Sequence, residues 1–330
     1  MKAAFLCSVN GKFEIRDIET PSPSSNQVLI KIHSSGLCYN DIHIQRGESP
    51  LQLHFPCILG HEPAGEVVEI GECVTKRKKG DRVGVPYMQN TCGRCEWCQR
   101  GKNMYCKNLE GTGVAVPGAH AEYMLAYEDS TVLLPNEIAY NQGAPLFCAG
   151  YAMYSGLRSA NPKPHERIAV IGIGGLGHLG IQFSKSLGYY TIALTHSKDK
   201  EESIYSLGAD QVIFSGKNLN SIGGADIILV TSSSYELACE AFDGLRPEGR
   251  WILMGISTDR LTISPFKMAY YRYSVIGSQQ NSQEYLYEVI DLVAKGKVKV
   301  LTESYSLQDI NQAYTNLANG NVRYRAVIEN

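Results

Sequence analysis

The sequence predicts two domains of different class: a mainly β domain over residues 1–150, then an α/β domain built on a doubly wound parallel sheet over 151–282. The segment 283–330 is expected to return to the first domain. Three observations carry this reading. The 330 residues exceed the roughly 250 at which a single core usually stops growing. Up to about Gly150 the chain consists of short β-type runs punctuated by glycine and proline, with no sustained helical period. Beyond the connector "NPKPHE", apolar runs alternate with helical stretches, which is the pattern of a parallel sheet with crossover helices.

In the first part, "QVLIKI", "AGEVVEIG" and "GDRVGVP" have strand composition between turn residues. In the second, the strand "RIAVIGI" leads to a helix from Leu176 to Leu187, and "TIAL" to a helix from Lys198 to Leu207. The strands "DQVIF" and "ADIILV", a helix near Glu236 to Leu245 and the strand "RWILMGI" follow. "YSVIGS" at 273–278 reads as the last strand of that sheet and Gln283 to Lys295 as a helix. The tail ending in "YRAVIEN" has strand character and no room for another βα unit.

A formal net charge of −2 offers no field for nucleic acid or an anionic membrane, so the expected partner is a small molecule. "KAAFLCSV" after Met1 lacks the apolar core and cleavage site of a signal peptide, and no run approaches the ~20 apolar residues of a membrane span. The expected location is the cytoplasm. There, ten cysteines are too many for a disulfide framework, and four of them crowd into residues 92–106.

"CGRCEWCQRGKNMYC" spaces Cys92, Cys95, Cys98 and Cys106 so that four thiolates from one loop can close a tetrahedron around zinc, leaving no open position. "GHEPAGEVVEIG" supplies His61 and Glu62. A lone histidine is more often structural than a ligand, but Cys38 upstream and the isolated Cys148 of "PLFCAG" suggest a second site, with two thiolates, one imidazole and a position free for water or substrate. "GIGGLGHLG" fits G-x-G-x-x-G through Gly172, Gly174 and Gly177 between a strand and a helix. In that context Gly172, Gly174, Gly175, Leu176 and Gly177 are expected to cradle a pyrophosphate.

Together these residues resemble the zinc-containing medium-chain dehydrogenase/reductase superfamily, specifically its alcohol dehydrogenases, from "KAAF" to "YRAVI". The resemblance implies a GroES-like catalytic domain completed by the C-terminal segment, a Rossmann domain, and an active cleft between them. It matches Cys38, His61 and Cys148 to the ligands of a catalytic zinc, Glu62 to a carboxylate that can approach the metal, and Asp41 to the carboxylate that orients the ligand histidine. Cys92, Cys95, Cys98 and Cys106 match a structural zinc, making two zinc ions per chain. The implied reaction is hydride transfer between an alcohol carbon and a nicotinamide, with zinc as Lewis acid on the substrate oxygen. Homodimers and homotetramers both occur among similar proteins, and either is expected here.

Several positions depart from the family pattern. Asn40 stands where a serine or threonine usually hands a proton towards a histidine, here matched by His43. Ala152 replaces a threonine beside the nicotinamide. Ser49 replaces a tryptophan found in members that use small alcohols, while Tyr87 keeps a second aromatic. After the strand "TIAL", Thr195, His196, Ser197 and Lys198 stand where NAD-preferring relatives carry an acidic residue, so NADP(H) is expected over NAD(H), with a medium-chain or aromatic alcohol or aldehyde as substrate. The missing hydroxyl at Asn40 keeps an enone or enoyl-thioester reductase as the alternative, and a non-catalytic zinc and nucleotide binding protein is a more distant one. Cys7, Cys57, Cys73 and Cys239 read as ordinary core or surface residues, and His33, His54, His120, His165 and His178 lack metal spacing. "KRKKGD" reads as a solvated turn before a strand at Arg82.

Overall fold

The N-terminal run "KAAFL" forms strand β1 (Lys2–Leu6), with Ala3, Ala4 and Leu6 buried, and pairs antiparallel with β2 (Phe13–Asp17). This is seen in a computed structural model describing residues 1–49, 53–232, 235–257 and 260–330. Next come β3 (Gln27–Gly36), helix α1 (Tyr39–Gln45), β4 (Pro63–Ile70), β5 (Arg82–Gly84) and β6 (Met88–Asn90). They are followed by α2 (Glu96–Gln99), β7 (Glu110–Gly111), β8 (Tyr123–Tyr127), β9 (Val132–Leu133) and α3 (Tyr140–Gly143). The absence of a sustained helical period up to Gly150 holds for the strands but misses α1. At seven residues α1 is too short to display a period, and it is fixed by docking Ile42 and Ile44 into an apolar cluster.

From Ala149 the pattern changes to helix and parallel strand: α4 (Ala149–Ser159), β10 (Arg167–Ile171), α5 (Gly177–Ser186), β11 (Tyr190–Leu194), α6 (Glu201–Ser206) and β12 (Gln211–Ile213). Then follow α7 (Asn218–Ser221), β13 (Ala225–Val230), α8 (Glu236–Ala241), β14 (Leu245–Leu253), α9 (Pro265–Tyr270), β15 (Ser274–Gly277) and α10 (Gln283–Ala294). The six strands pair in parallel in the order β12-β11-β10-β13-β14-β15. Numbered within the sheet this is 3-2-1-4-5-6, the doubly wound dinucleotide-binding order, whose direction reverses between β10 and β13. Strands covered on both faces need apolar side chains at nearly every position, and Ile168–Ile171 and Ile227–Val230 are fully buried.

The chain ends with β16 (Thr302–Ser306), α11 (Ile310–Ala318) and β17 (Arg325–Glu329). The tail does contain a βα unit, contrary to the sequence reading, because β16 and β17 pair in parallel through α11. β17 then pairs antiparallel with β3, extending the sheet β16-β17-β3-β4-β5-β9, to which β8 adds on β3. Residues 1–148 and 300–330 form one unit and 149–299 the other. The second unit therefore runs past residue 282 and includes α10, whose Glu288 accepts a hydrogen bond from Tyr154 of α4 at 2.6 Å. "KRKKGD" is tied down more than a solvated turn requires: Arg77 donates to the Thr131 hydroxyl at 2.7 Å and to its carbonyl at 2.6 Å. None of the described helices is long and apolar enough to cross a membrane.

Candidate active site

Strand β3 ends at Gly36, and the next turn delivers Cys38 to the N-terminal cap of α1 in extended backbone, with φ −110° and ψ 152°. Asp41 closes this end. Its backbone N–H donates to the Cys38 carbonyl, and its Oδ2 accepts the Cys38 N–H, both at 3.0 Å. The other carboxylate oxygen, Oδ1, lies 3.1 Å from His61 Nδ1. An ionised carboxylate only accepts, so Nδ1 carries the proton and the Nε2 lone pair is left for another partner. Nε2 lies 3.3 Å from Cys148 Sγ, and the sulfurs of Cys148 and Cys38 are 3.9 Å apart.

The donor atoms of Cys38, His61, Glu62 and Cys148 all lie within 4.8 Å of one another. Tetrahedral zinc with Zn–S bonds of about 2.3 Å separates two thiolates by about 3.8 Å, so the set fits a zinc ion. Burial pushes the Glu62 carboxyl up to about 7, while the neighbouring Arg325 guanidinium favours its ionised form. The hydrogen bond from Cys148 holds the Cys38 thiol well below the ordinary thiol range. Burial would raise the Asp41 carboxyl, but the charge and hydrogen bond of His61 outweigh it and lower it instead. Gly36 makes room for this arrangement, since a Cβ there would meet Glu62 Oε2 at 2.1 Å.

In the loop around α2, Cys95 and Cys98 bring their sulfurs to 3.5 Å and Cys92 and Cys106 to 3.6 Å. All four sulfurs lie within 4.8 Å of one another, so the loop offers a complete four-thiolate set. Beside it, a cavity of about 400 Å³ is lined by Tyr87, Met104, Cys106, Leu109, Gly111 and Val114. Tyr87 also meets the His61 ring edge to face, with 6.3 Å between centroids.

In the second unit, the turn after β10 is built for close backbone approach. Gly172 has φ +86°, a Cβ on Gly177 would lie 2.2 Å from the Gly172 carbonyl, and Gly174 faces open space. Thr231, after β13, donates to the Gly172 carbonyl at 2.6 Å, so the loop sits at the carboxyl ends of β10 and β13, where the strand order reverses. Gly175 and Leu176 complete the turn into α5, and its open space and helix N-terminus fit a pyrophosphate. After β11, Thr195 is buried and its hydroxyl oxygen accepts the Ser197 N–H at 3.2 Å, while His196 and Lys198 are exposed.

Asn40 and His43 lie half-buried on α1, and His43 Nδ1 is 2.9 Å from Glu48 Oε2. Ser49 is half-buried just beyond, and Ala152 lies in α4. Two neighbours of these groups were not legible in the sequence. Arg325 reaches Glu62 from the far end of the chain, and Lys200 Nζ donates to the Ile173 carbonyl of the glycine-rich turn at 3.1 Å. Neither belongs to a local motif that spacing could have flagged.

Residues 24–136 match the family described as alcohol dehydrogenase GroES-like domain, and residues 175–295 match the zinc-binding dehydrogenase family. An alcohol dehydrogenase of Geobacillus stearothermophilus is 32% identical over 335 residues, covering 100% of this chain and 99% of that one. Among solved structures, the alcohol dehydrogenase of the hyperthermophilic archaeon Aeropyrum pernix is 30% identical, with a TM-score of 0.91 and 100% of both chains covered. A cinnamyl alcohol dehydrogenase of Sorghum bicolor is 27% identical, with a TM-score of 0.91, covering 99% of this chain and 97% of that one.

Proposed function

The chain belongs to the zinc-type medium-chain alcohol dehydrogenase family, and from that premise we propose that it interconverts medium-chain or aromatic alcohols and their aldehydes with NADP(H) as the preferred cofactor. The observation that carries this is the convergence of Cys38, His61 and Cys148, with Glu62 beside them. These residues would hold one zinc ion, and Cys92, Cys95, Cys98 and Cys106 a second, structural one. When bound, zinc supplies Lewis acidity at the substrate oxygen and the nicotinamide supplies hydride exchange.

The chain's own residues do the rest. Asp41 fixes the His61 ring with Nε2 turned to the metal position. Asn40 orients substrate through its amide, which can donate and accept hydrogen bonds but cannot practically gain and lose a proton near neutral pH. The proton therefore travels through solvent, with His43 as its acceptor. In this reading Thr195 and Ser197 donate to a 2′-phosphate and Lys198 adds charge, with no carboxylate among residues 195–198 to repel it. Substrate breadth is supported by Ser49, a small side chain where relatives that use small alcohols carry a tryptophan.

A steady-state panel of alcohols, aldehydes and enones with NADP(H) and NAD(H) tests this reading. The expected result is highest kcat/KM for aromatic or medium-chain aldehydes with NADPH. Ethanol as the best alcohol, or equal efficiency with the two cofactors, would count against it. Asn40, which lacks the hydroxyl of the usual relay, favours a second reading as an enone reductase, and reduction of enones alone would establish that one.

A further inference from the structure

We propose that Glu48 is a positioning residue that sets the tautomer and orientation of His43, so that ring Nε2 is the atom that receives the substrate proton. The proposal rests on the reading of His43 as proton acceptor. The His43–Glu48 contact follows from how α1 ends. The chain reverses at Gly47, whose φ of +70° suits glycine, and the Gly47 N–H donates to the Ile44 carbonyl at 3.0 Å. The Glu48 N–H donates to the His43 carbonyl at 2.8 Å. These two bonds form the Schellman cap, which folds the residue after the glycine back over the last turn of the helix. Glu48 is thereby set against residue 43, and its carboxylate reaches His43 Nδ1 at 2.9 Å.

Two neighbours hold the ring. Tyr39, one turn earlier on α1, meets it edge to face, with 5.1 Å between centroids and 73° between planes. Glu48 holds its Nδ1. Because a carboxylate accepts and does not donate, it selects the Nδ1–H form, reversing the preference of free imidazole for Nε2–H. The Nε2 lone pair is then available to a proton arriving through water from the substrate hydroxyl. The imidazolium that forms has two N–H bonds, with its charge facing the Glu48 carboxylate. Loss of the Nε2 proton to bulk water restores the starting tautomer. The Glu48 side chain is 50% exposed, and so open an ion pair adds little to stability, so what it contributes is orientation.

The test is heteronuclear NMR of the histidine ring nitrogens in the full chain, with His43 assigned through His43→Gln, together with kcat and KM. The expected result is an Nδ1–H ring in the wild type that becomes mainly Nε2–H in Glu48→Ala. kcat should fall on the order of 10-fold with KM and the urea midpoint unchanged, and Glu48→Ala should cost nothing further in a His43→Gln background. An Nε2–H ring in the wild type, or the same tautomer in both proteins, overturns the proposal. So does an unchanged kcat in Glu48→Ala where His43→Gln lowers it. Undiminished turnover in His43→Gln would instead remove the proton-acceptor reading beneath the proposal, and with it the role of Nε2.

Discussion

Arg325 Nη2 donates to both carboxylate oxygens of Glu62, at 2.5 and 2.6 Å, and to the Leu37 carbonyl at 2.8 Å, with Arg325 and Glu62 both buried. Removing one partner of such a pair leaves an uncompensated charge in the interior, at a cost of about 3–5 kcal/mol. Arg325→Met is therefore expected to lower the stability of the first unit by that order in urea unfolding. Adding Glu62→Gln should recover part of the loss, and strictly additive effects of the two substitutions would argue against direct coupling.

His120 is fully buried between the Ser35 hydroxyl, 3.0 Å from Nδ1, and the Tyr314 hydroxyl, 3.2 Å from Nε2. Burial pulls its pKa from the ordinary 6.5 to about 4, with Asp41 opposing the change and His61 adding to it. Between these values the unfolded chain binds the proton and the folded chain does not, so stability rises with pH across this window. The contribution is complete above pH 6.5 and is lost as pH falls towards 4, to a total of about 3 kcal/mol. Urea midpoints measured across this range should show a steeper acid decline for the wild type than for His120→Gln. Parallel curves would contradict the assignment.

Thr195→Asp places a carboxylate at the end of β11, where it would repel a 2′-phosphate and accept from a ribose hydroxyl. The ratio of kcat/KM for NADPH to that for NADH is expected to fall on the order of 10-fold or more, since each tenfold needs only about 1.4 kcal/mol. An unchanged ratio would show that residues 195–198 do not set the preference.

Asn40→Ser supplies a hydroxyl that can pass a proton towards His43. Where a solvent isotope effect shows proton transfer to limit the rate, turnover is expected to rise in both directions, because a general acid–base path is worth roughly 10²-fold when limiting. The equilibrium constant must stay the same. Unchanged turnover under those conditions would mean that solvent already serves the site fully.

The parts legible in the sequence are those whose physics is local. Thiolates that share a zinc from one loop must be close in the chain, so Cys92 to Cys106 announce themselves, and a phosphate turn needs its glycines in a row at Gly172 to Gly177. The convergence of Cys38, His61 and Cys148 was readable only by combining distant residues with the family resemblance. Arg325 was invisible because its partner is 263 positions away and nothing in "YRAVIEN" marks an arginine as buried. Helix α1 escaped because seven residues show no period, and with it went the Schellman cap that joins Glu48 to His43. The parallel pair of β16 and β17 was missed for a related reason: α11 is only nine residues long, which makes its crossover compact enough to read as a single strand-like tail.

Cys38, His61 and Cys148 are expected to hold a working zinc ion separate from the four-thiolate loop. Zinc content per chain, measured on the same preparations used to assay aldehyde reduction with NADPH, tests it most directly in the wild type and in Cys148→Ala. The predicted result is two zinc ions per active wild-type chain and one per folded but inactive variant chain, because a four-thiolate set that holds a metal would keep it when the other set is broken. One zinc ion per chain in both proteins, or undiminished turnover in Cys148→Ala, would contradict a working zinc at Cys38, His61 and Cys148.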